Sequence, residues 1–286
     1  MRKASIFIAR IMACLMAGLV LLQTLVGGSS GDTARAQSIV ATGQSFITPR
    51  LLPGKVMPEG GRLAGLRLSM EPGWKTYWRS PGETGIPPHF DWSGSVNVRD
   101  IVMHWPRPGM FESFGMWTAG YGDVVLFPLE VRPVDPSEPM VLALSADLGV
   151  CKDICVLENV QTALEIGTDD PAIGARQIRS AMRRVPVAAT PDTVVVHACR
   201  FAGAGRDRQM VADLGFVEAL SHPKVLIEHL DGAWIKYTKQ SVLDGGMRVA
   251  VDFVLPEGQS WIDRSAFRMT VLADEGAYDI QGCKPG

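Results

Sequence analysis

Short runs of alternating apolar and polar residues, broken at close intervals by glycine and proline, constrain this chain more than any other sequence feature. Leu66, Leu68 and Met70, for example, alternate with Arg67 and Ser69. An alternation of period two places every second side chain on one face of a β-strand. Runs of this kind continue to about residue 166 and resume after residue 190. We therefore predict an all-β chain containing two β-sandwiches.

The segment 169–186 departs from this alternation. Pro171 suits a first helical turn and Pro186 ends the pattern. The apolar positions between them recur at helical spacing: Ala175, Ile178, Met182 and Val185. We predict a short helix that links two domains, residues 37–168 and residues 187–286. A helix inside one larger domain is the alternative interpretation.

The first 36 residues have the pattern of a secretory signal peptide. A basic start (Arg2, Lys3 and Arg10) precedes an apolar run, residues 11–26, and Ala34-Arg35-Ala36 matches a cleavage site. We predict cleavage after Ala36 and export of the remaining chain. An uncleaved membrane anchor is the alternative, but the apolar run is shorter than the ~20 residues that a membrane span prefers.

Charge and cysteine content are read for the exported part of the chain. Removal of residues 1–36 leaves 24 basic and 29 acidic residues, and no basic run remains. This pattern argues against a nucleic-acid partner and against an anionic membrane surface. The same removal takes away Cys14 and leaves an even number of cysteines, which in an oxidising compartment predicts disulfides. They are Cys151, Cys155, Cys199 and Cys283.

Cys199 and Cys283 lie near the two ends of the second β-rich segment. A bond between them closes a loop of about 85 residues, which is worth about 4.6 kcal/mol on the chain-entropy model. We predict that this pair is a structural disulfide.

Cys151 and Cys155 are different because they lie only four positions apart, between two strand-like runs. Closing so short a loop is worth about 2 kcal/mol, and exposed short disulfides are readily reduced and exchanged. The pair therefore favours a reversible redox role, with a structural bridge in a non-catalytic periplasmic binding module as the alternative. Two thiolates could also hold Cu(I), whereas a zinc site needs more ligands. Thioredoxin-type sites have C-x-x-C at a helix start, unlike this spacing.

The run from about residue 65 to residue 166 resembles the N-terminal periplasmic domain of the DsbD thiol:disulfide interchange proteins, and more closely their ScsB-type relatives. The resemblance depends on the order and spacing of four motifs. They are Gly73-Trp74-Lys75-Thr76-Tyr77-Trp78, Glu112-Ser113-Phe114-Gly115, Tyr121-Gly122-Asp123 with Leu126-Phe127-Pro128-Leu129, and Gly149-Val150-Cys151 to Cys155.

The resemblance implies an immunoglobulin-like sandwich in the periplasm that performs thiol–disulfide exchange of the protein-disulfide reductase type. By the same resemblance, Cys155 forms the mixed disulfide with a client and Cys151 resolves it. Phe114, Trp117 and Tyr121 fall on a loop that caps the cysteines or contacts a partner. The implied partners are thioredoxin-like clients and, because this chain has no membrane part, a separate membrane thiol-reductase as electron donor. We expect no cofactor and no metal.

Overall fold

The computed structural model describes residues 45–283, apart from residues 59, 83, 114 and 115. The predicted signal peptide lies outside this range. Within it, β-strands dominate, and one α-helix, α1 (Ala175–Met182), separates ten strands from eight more. No helix in the described part of the chain is long and apolar enough to cross a membrane.

The first ten strands form two antiparallel sheets. One sheet has the order β1-β2-β8-β5; the other has the order β10-β9-β3-β7-β6, with β4 paired to β9 beside β3. The strands are β1 (Ile47–Val56), β2 (Arg62–Met70), β3 (Lys75–Tyr77), β4 (His89–Asp91), β5 (Val98–Met103), β6 (Gly109–Ser113), β7 (Met116–Gly122), β8 (Val124–Pro133), β9 (Met140–Cys151) and β10 (Cys155–Ile166).

The two sheets share one hydrophobic core. Alternate residues of β2, including Leu66 and Leu68, are buried against alternate residues of β9, including Leu142 and Leu148. Neighbours such as Arg67 and Asp147 are more exposed. The period-two pattern therefore reports the inward face of each strand, and this face-to-face packing defines the first sandwich.

Helix α1 packs on the outside of the first sandwich, against β1, β2 and β8. Ile178 is buried there, close to Gly54 and Gly65, where the absence of side chains leaves room for it. The helix is shorter than the predicted segment 169–186. Gly174 is its N-cap, and the Gly174 amide donates to the carbonyl of Pro53 at 2.9 Å. This bond ties the residues before the helix to β1.

The last eight strands form a second pair of sheets, with orders β11-β18-β17-β14 and β12-β13-β16-β15. All pairings are antiparallel except that of β11 with β18. The strands are β11 (Val187–Ala188), β12 (Val194–Ala204), β13 (Asp207–Phe216), β14 (Lys224–His229), β15 (Trp234–Leu243), β16 (Gly246–Val254), β17 (Phe267–Leu272) and β18 (Ala277–Gln281).

The second pair of sheets has its own core. Val249 and Val251 of β16 pack in one cluster with Phe267 and Met269 of β17, and all four are fully buried. The predicted fold class, two immunoglobulin-like β-sandwiches joined by a short helix, is confirmed. The predicted domain boundaries stay predictions.

Candidate functional site

Cys151 and Cys155 lie at the tip of the β9–β10 hairpin and form a disulfide. Cys151 is the last residue of β9, and Cys155 is the first residue of β10. The two strands pair without a register shift from Met140–Ile166 up to this tip, where Cys151 faces Cys155 with 4.1 Å between their Cα atoms. A long regular hairpin thus presents a small disulfide-bonded turn at one end of the sandwich.

The two sulfur-bearing residues differ in exposure. Cys151 is 3% exposed, whereas Cys155 is exposed. Two apolar side chains beside Cys155 also face solvent, since Ile154 is 65% and Leu157 is 64% exposed. This difference favours Cys155 over Cys151 as the accessible cysteine, and the rate of thiol–disulfide exchange depends on access.

Strand β3 places a tyrosine beneath the disulfide. Lys75 and Thr76 pair with Cys151 and Val150, and the Thr76 hydroxyl donates to the carbonyl of Gly149 at 2.9 Å. The next residue, Tyr77, is buried, and its hydroxyl lies 2.8 Å from Cys151 Sγ. The same oxygen is 3.5 Å from Cys155 Sγ. Because disulfide sulfurs carry no proton, the Tyr77 O–H donates to them, and most closely to Cys151.

Gly149 makes room for this tyrosine. A Cβ atom at Gly149 would lie 2.8 Å from the Cβ atom of Ile86 and 3.0 Å from Cδ2 of Tyr77. Real Cβ atoms essentially never approach neighbours within 3.0 Å. Position 149 of β9 therefore requires a glycine, because the side chains of Ile86 and Tyr77 lie against the backbone there. Burial also raises the pKa of Tyr77, which keeps its proton on the phenol oxygen.

Charged side chains near the turn are directed elsewhere. The Lys152 ammonium donates to the carbonyl of Pro72 at 3.3 Å, and its methylene chain lies over Gly73. The Lys75 ammonium lies 4.9 Å from the centre of the Phe111 ring. Asp153 is exposed. In the described residues, the side-chain hydrogen bond to the sulfur atoms therefore comes from an uncharged hydroxyl.

The structure places the three predicted cap or partner-contact residues differently. Phe114 lies outside the described residues. Trp117 is 50% exposed, and the Lys224 ammonium of the second sandwich lies 5.8 Å from its ring centre. Tyr121 is buried, and its hydroxyl donates to the carbonyl of Pro106 at 2.7 Å. A role of these residues toward a partner stays a prediction.

The other two cysteines of the described residues also form a disulfide, which joins Cys199 of β12 to Cys283 just after β18. Both residues are buried in the core of the second sandwich, and Cys283 Sγ lies 3.4 Å from Sδ of Met210. The described residues hold no group of three or more His, Cys, Asp or Glu side chains arranged to bind a metal ion.

Sequence reasoning missed Tyr77, since the Trp74–Trp78 run has the ordinary pattern of sandwich aromatics. Its contact with Cys151 depends on the pairing of β3 with β9, which are 74 positions apart at this point. Period-two alternation shows which residues share a face but not which strands are neighbours. The sequence signal that bears on the contact is Gly149, a small residue inside a strand, which indicates a close approach.

A second missed feature is the contact between the segment after Tyr77 and the second sandwich. The Arg79 guanidinium forms an ion pair with Glu228 of β14 at 2.8 Å, and both side chains are mostly buried. Arg79 also stacks on the Trp78 ring at 4.0 Å. The Ser80 hydroxyl donates to the carbonyl of Ile227 at 3.4 Å. The second sandwich thus contacts the residues that follow Tyr77 in the sequence.

Comparisons with known proteins find a matching family model and a similar solved structure. Residues 48–166 match the family model "Thiol:disulfide interchange protein DsbD, N-terminal". The fold is similar to the crystal structure of the N-terminal periplasmic domain of ScsB from Proteus mirabilis, with a TM-score of 0.63 and 26% sequence identity. That match covers 85% of this chain and 94% of the ScsB chain. No curated protein sequence matches significantly. The resemblance to DsbD and its ScsB-type relatives is confirmed, and the matches support a thiol:disulfide interchange module.

Proposed function

We propose that this protein passes electrons in the periplasm by opening and reclosing the Cys151–Cys155 disulfide in exchange with thioredoxin-like proteins. One observation carries the proposal: the disulfide at the hairpin tip joins an exposed cysteine to a buried one. An exposed sulfur accepts attack from outside, and a buried partner is kept for the internal step. The family match over residues 48–166 supports the same chemistry.

Electron transfer to a client takes two exchange steps. In the reduced protein, the Cys155 thiolate attacks one sulfur of the client disulfide, a mixed disulfide forms, and the other client sulfur leaves as a thiolate. Cys151, as a thiolate, then attacks Cys155 Sγ. The internal disulfide closes, and the second client sulfur leaves with the electron pair. The client gains two electrons, and this protein loses two electrons.

Regeneration runs the same chemistry in reverse with a dithiol donor. A donor thiolate attacks Cys155 Sγ, Cys151 leaves as a thiolate, and the second donor thiol resolves the mixed disulfide. We propose a separate membrane thiol-reductase as this donor. The exposed apolar side chains of Ile154 and Leu157 lie close to Cys155 in the sequence and fit the contact surface of a protein rather than a small thiol.

The test is to trap the intermediate. With Cys151→Ser the resolving step is lost, so we expect Cys155 to accumulate as a mixed disulfide with a thioredoxin-like protein supplied in oxidised form. Non-reducing electrophoresis and mass spectrometry measure the adduct. The matched control is Cys155→Ser, which leaves only the buried thiol and should form no adduct. Equal trapping by both variants, or by neither, would contradict the proposal.

A further inference from the structure

We propose that Tyr77 is a catalytic residue: its hydroxyl donates a hydrogen bond to Cys151 Sγ and stabilises the thiolate that forms there when the disulfide opens. The inference deepens the proposed function and rests on it for the physiological thiol. The contact itself is direct, since the phenol oxygen lies 2.8 Å from Cys151 Sγ. Charge develops on this sulfur when the S–S bond breaks, and a donor already in place stabilises it without rearrangement.

Burial makes such a donor necessary. Cys151 is 3% exposed, so water contributes little to solvating a negative charge on its sulfur. An unsolvated thiolate is costly, and burial in apolar surroundings disfavours the charged form of a thiol. The nearby lysine gives no direct help, because the Lys152 ammonium donates to the carbonyl of Pro72. Among the described residues, Tyr77 provides the side-chain hydrogen bond to this sulfur.

The geometry also favours one direction of cleavage. The Tyr77 oxygen is closer to Cys151 Sγ than to Cys155 Sγ, by 2.8 Å against 3.5 Å. A thiolate that attacks Cys155 Sγ forms a new S–S bond there, and the electron pair of the old bond goes to Cys151 Sγ, next to the donor. No proton is transferred, because burial raises the pKa of Tyr77 and the phenol stays protonated. Exposure and hydrogen bonding thus select the same sulfur as the leaving group.

The surrounding structure fixes the donor from both sides. Pairing of Lys75 and Thr76 with the end of β9 fixes the position of the Tyr77 ring relative to the disulfide. On the other side, the Arg79–Glu228 ion pair ties the following residues to the second sandwich. Such a rigid setting is what a preorganised hydrogen bond requires.

The experiment compares the wild-type protein with Tyr77→Phe, which keeps the ring and removes only the hydroxyl. The probe is dithiothreitol, which reduces disulfides without any partner protein. A hydrogen bond to a charged group is worth enough to change a rate about tenfold. We expect Tyr77→Phe to slow reduction of the Cys151–Cys155 disulfide about tenfold and to lower its reduction potential by about 30 mV, the equivalent of that factor.

A second readout follows the thiolate itself. In a Cys155→Ser background, Cys151 is a free thiol, and its ionisation is followed by thiolate absorbance against pH. Adding Tyr77→Phe should raise the pKa of the Cys151 thiol and lower its thiolate fraction near neutral pH about tenfold. The matched control is Tyr278→Phe, which removes one hydroxyl from β18 of the second sandwich and should change neither the rate, the potential nor this titration.

Two outcomes would overturn the inference: a folded Tyr77→Phe variant with wild-type rate and potential, or a Cys151 titration that does not move. If Tyr77→Phe fails to fold, fluorotyrosine placed at position 77 replaces it. A more acidic phenol should then lower the pKa of the Cys151 thiol and speed reduction, and no change contradicts the inference. A wild-type protein that never exchanges with thioredoxin-like proteins would reject the proposed function, while the dithiothreitol result would still decide the role of Tyr77.

Discussion

The two disulfides in the described part of the chain differ in loop length and in exposure. Cys151–Cys155 joins neighbouring strand ends four positions apart, and one of its residues is exposed. Cys199–Cys283 spans 84 positions, and both of its residues lie in a hydrophobic core. The first constrains the unfolded chain little and is open to attack, whereas the second constrains it strongly and is shielded. These differences are what the proposed exchange role of the first disulfide and a stabilising role of the second require.

The largest effect that this difference predicts is on stability. Replacing Cys199 and Cys283 by alanine should lower the free energy of unfolding by about 4.6 kcal/mol, and replacing Cys151 and Cys155 by about 2 kcal/mol, because the loops differ in length. Urea unfolding of the two double variants measures both values. The comparison breaks if the short pair proves to be the stronger staple.

The next largest predicted effect is a difference in reduction potential between the two disulfides. Structural disulfides in exported proteins have potentials below about −300 mV, and exchange-active ones lie higher. We expect Cys151–Cys155 to open roughly 60 mV or more above Cys199–Cys283, a hundredfold difference in equilibrium constant. Alkylation of the freed thiols across a glutathione and dithiothreitol series, followed by mass spectrometry of the peptides, measures each bond. If both disulfides open at the same potential, the predicted difference between Cys151–Cys155 and Cys199–Cys283 is wrong.

The surroundings of the Cys151–Cys155 disulfide can be changed without altering Cys199–Cys283. Gly149→Ala places a Cβ atom against Ile86 and the Tyr77 ring. Such overpacking costs about 1–3 kcal/mol, and we expect it to slow reduction of Cys151–Cys155 by displacing the Tyr77 hydroxyl. The control is Gly94→Ala, whose Cβ would meet only Cβ of Ala143 at an ordinary 3.4 Å. Urea unfolding and dithiothreitol reduction measure both variants. Equal effects at both glycines would contradict a special role for the Gly149 contact.

The sequence predicted the parts of this comparison that depend on local pattern or on spacing. Period-two alternation identified the strands, as Leu66 and Leu68 show, since burial on one face of a strand is visible in the order of residues. Cysteine count and position favoured both disulfide pairs among three possible pairings. The asymmetry between Cys151 and Cys155 did not, because exposure depends on which strand packs beside each sulfur.

Contacts between segments distant in sequence stayed hidden for the same reason. Tyr77 meets Cys151 only because β3 pairs with β9, and Arg79 meets Glu228 only because β14 lies behind the segment that follows β3. Neither pairing leaves a mark in the local alternation of the strands involved. The functional detail of this site therefore lies in its strand order, whereas its chemistry could be inferred from the cysteine spacing.

The smallest predicted effect is a pH dependence of the stability of the second sandwich. His229 is 7% exposed, neither ring nitrogen has a hydrogen-bond partner in the described residues, and its ring lies 4.7 Å from that of Phe267. Burial lowers its pKa below the usual 6.5, although the charges of Asp231 and Asp263 oppose this. Below pH 6.5 the unfolded chain therefore binds a proton that the folded chain does not, and stability falls as the pH drops towards the folded-state pKa.

Urea unfolding at pH 7.5 and at pH 5.5 tests this dependence. His229→Leu should flatten it, because leucine does not titrate. His222→Gln should not, since His222 is exposed and pairs with Asp274 at the surface. Asp213, whose pKa is lowered to about 2 by hydrogen bonds from Arg248 and Arg200, contributes its own loss only at much lower pH. If the dependence persists in His229→Leu, His229 is not its source.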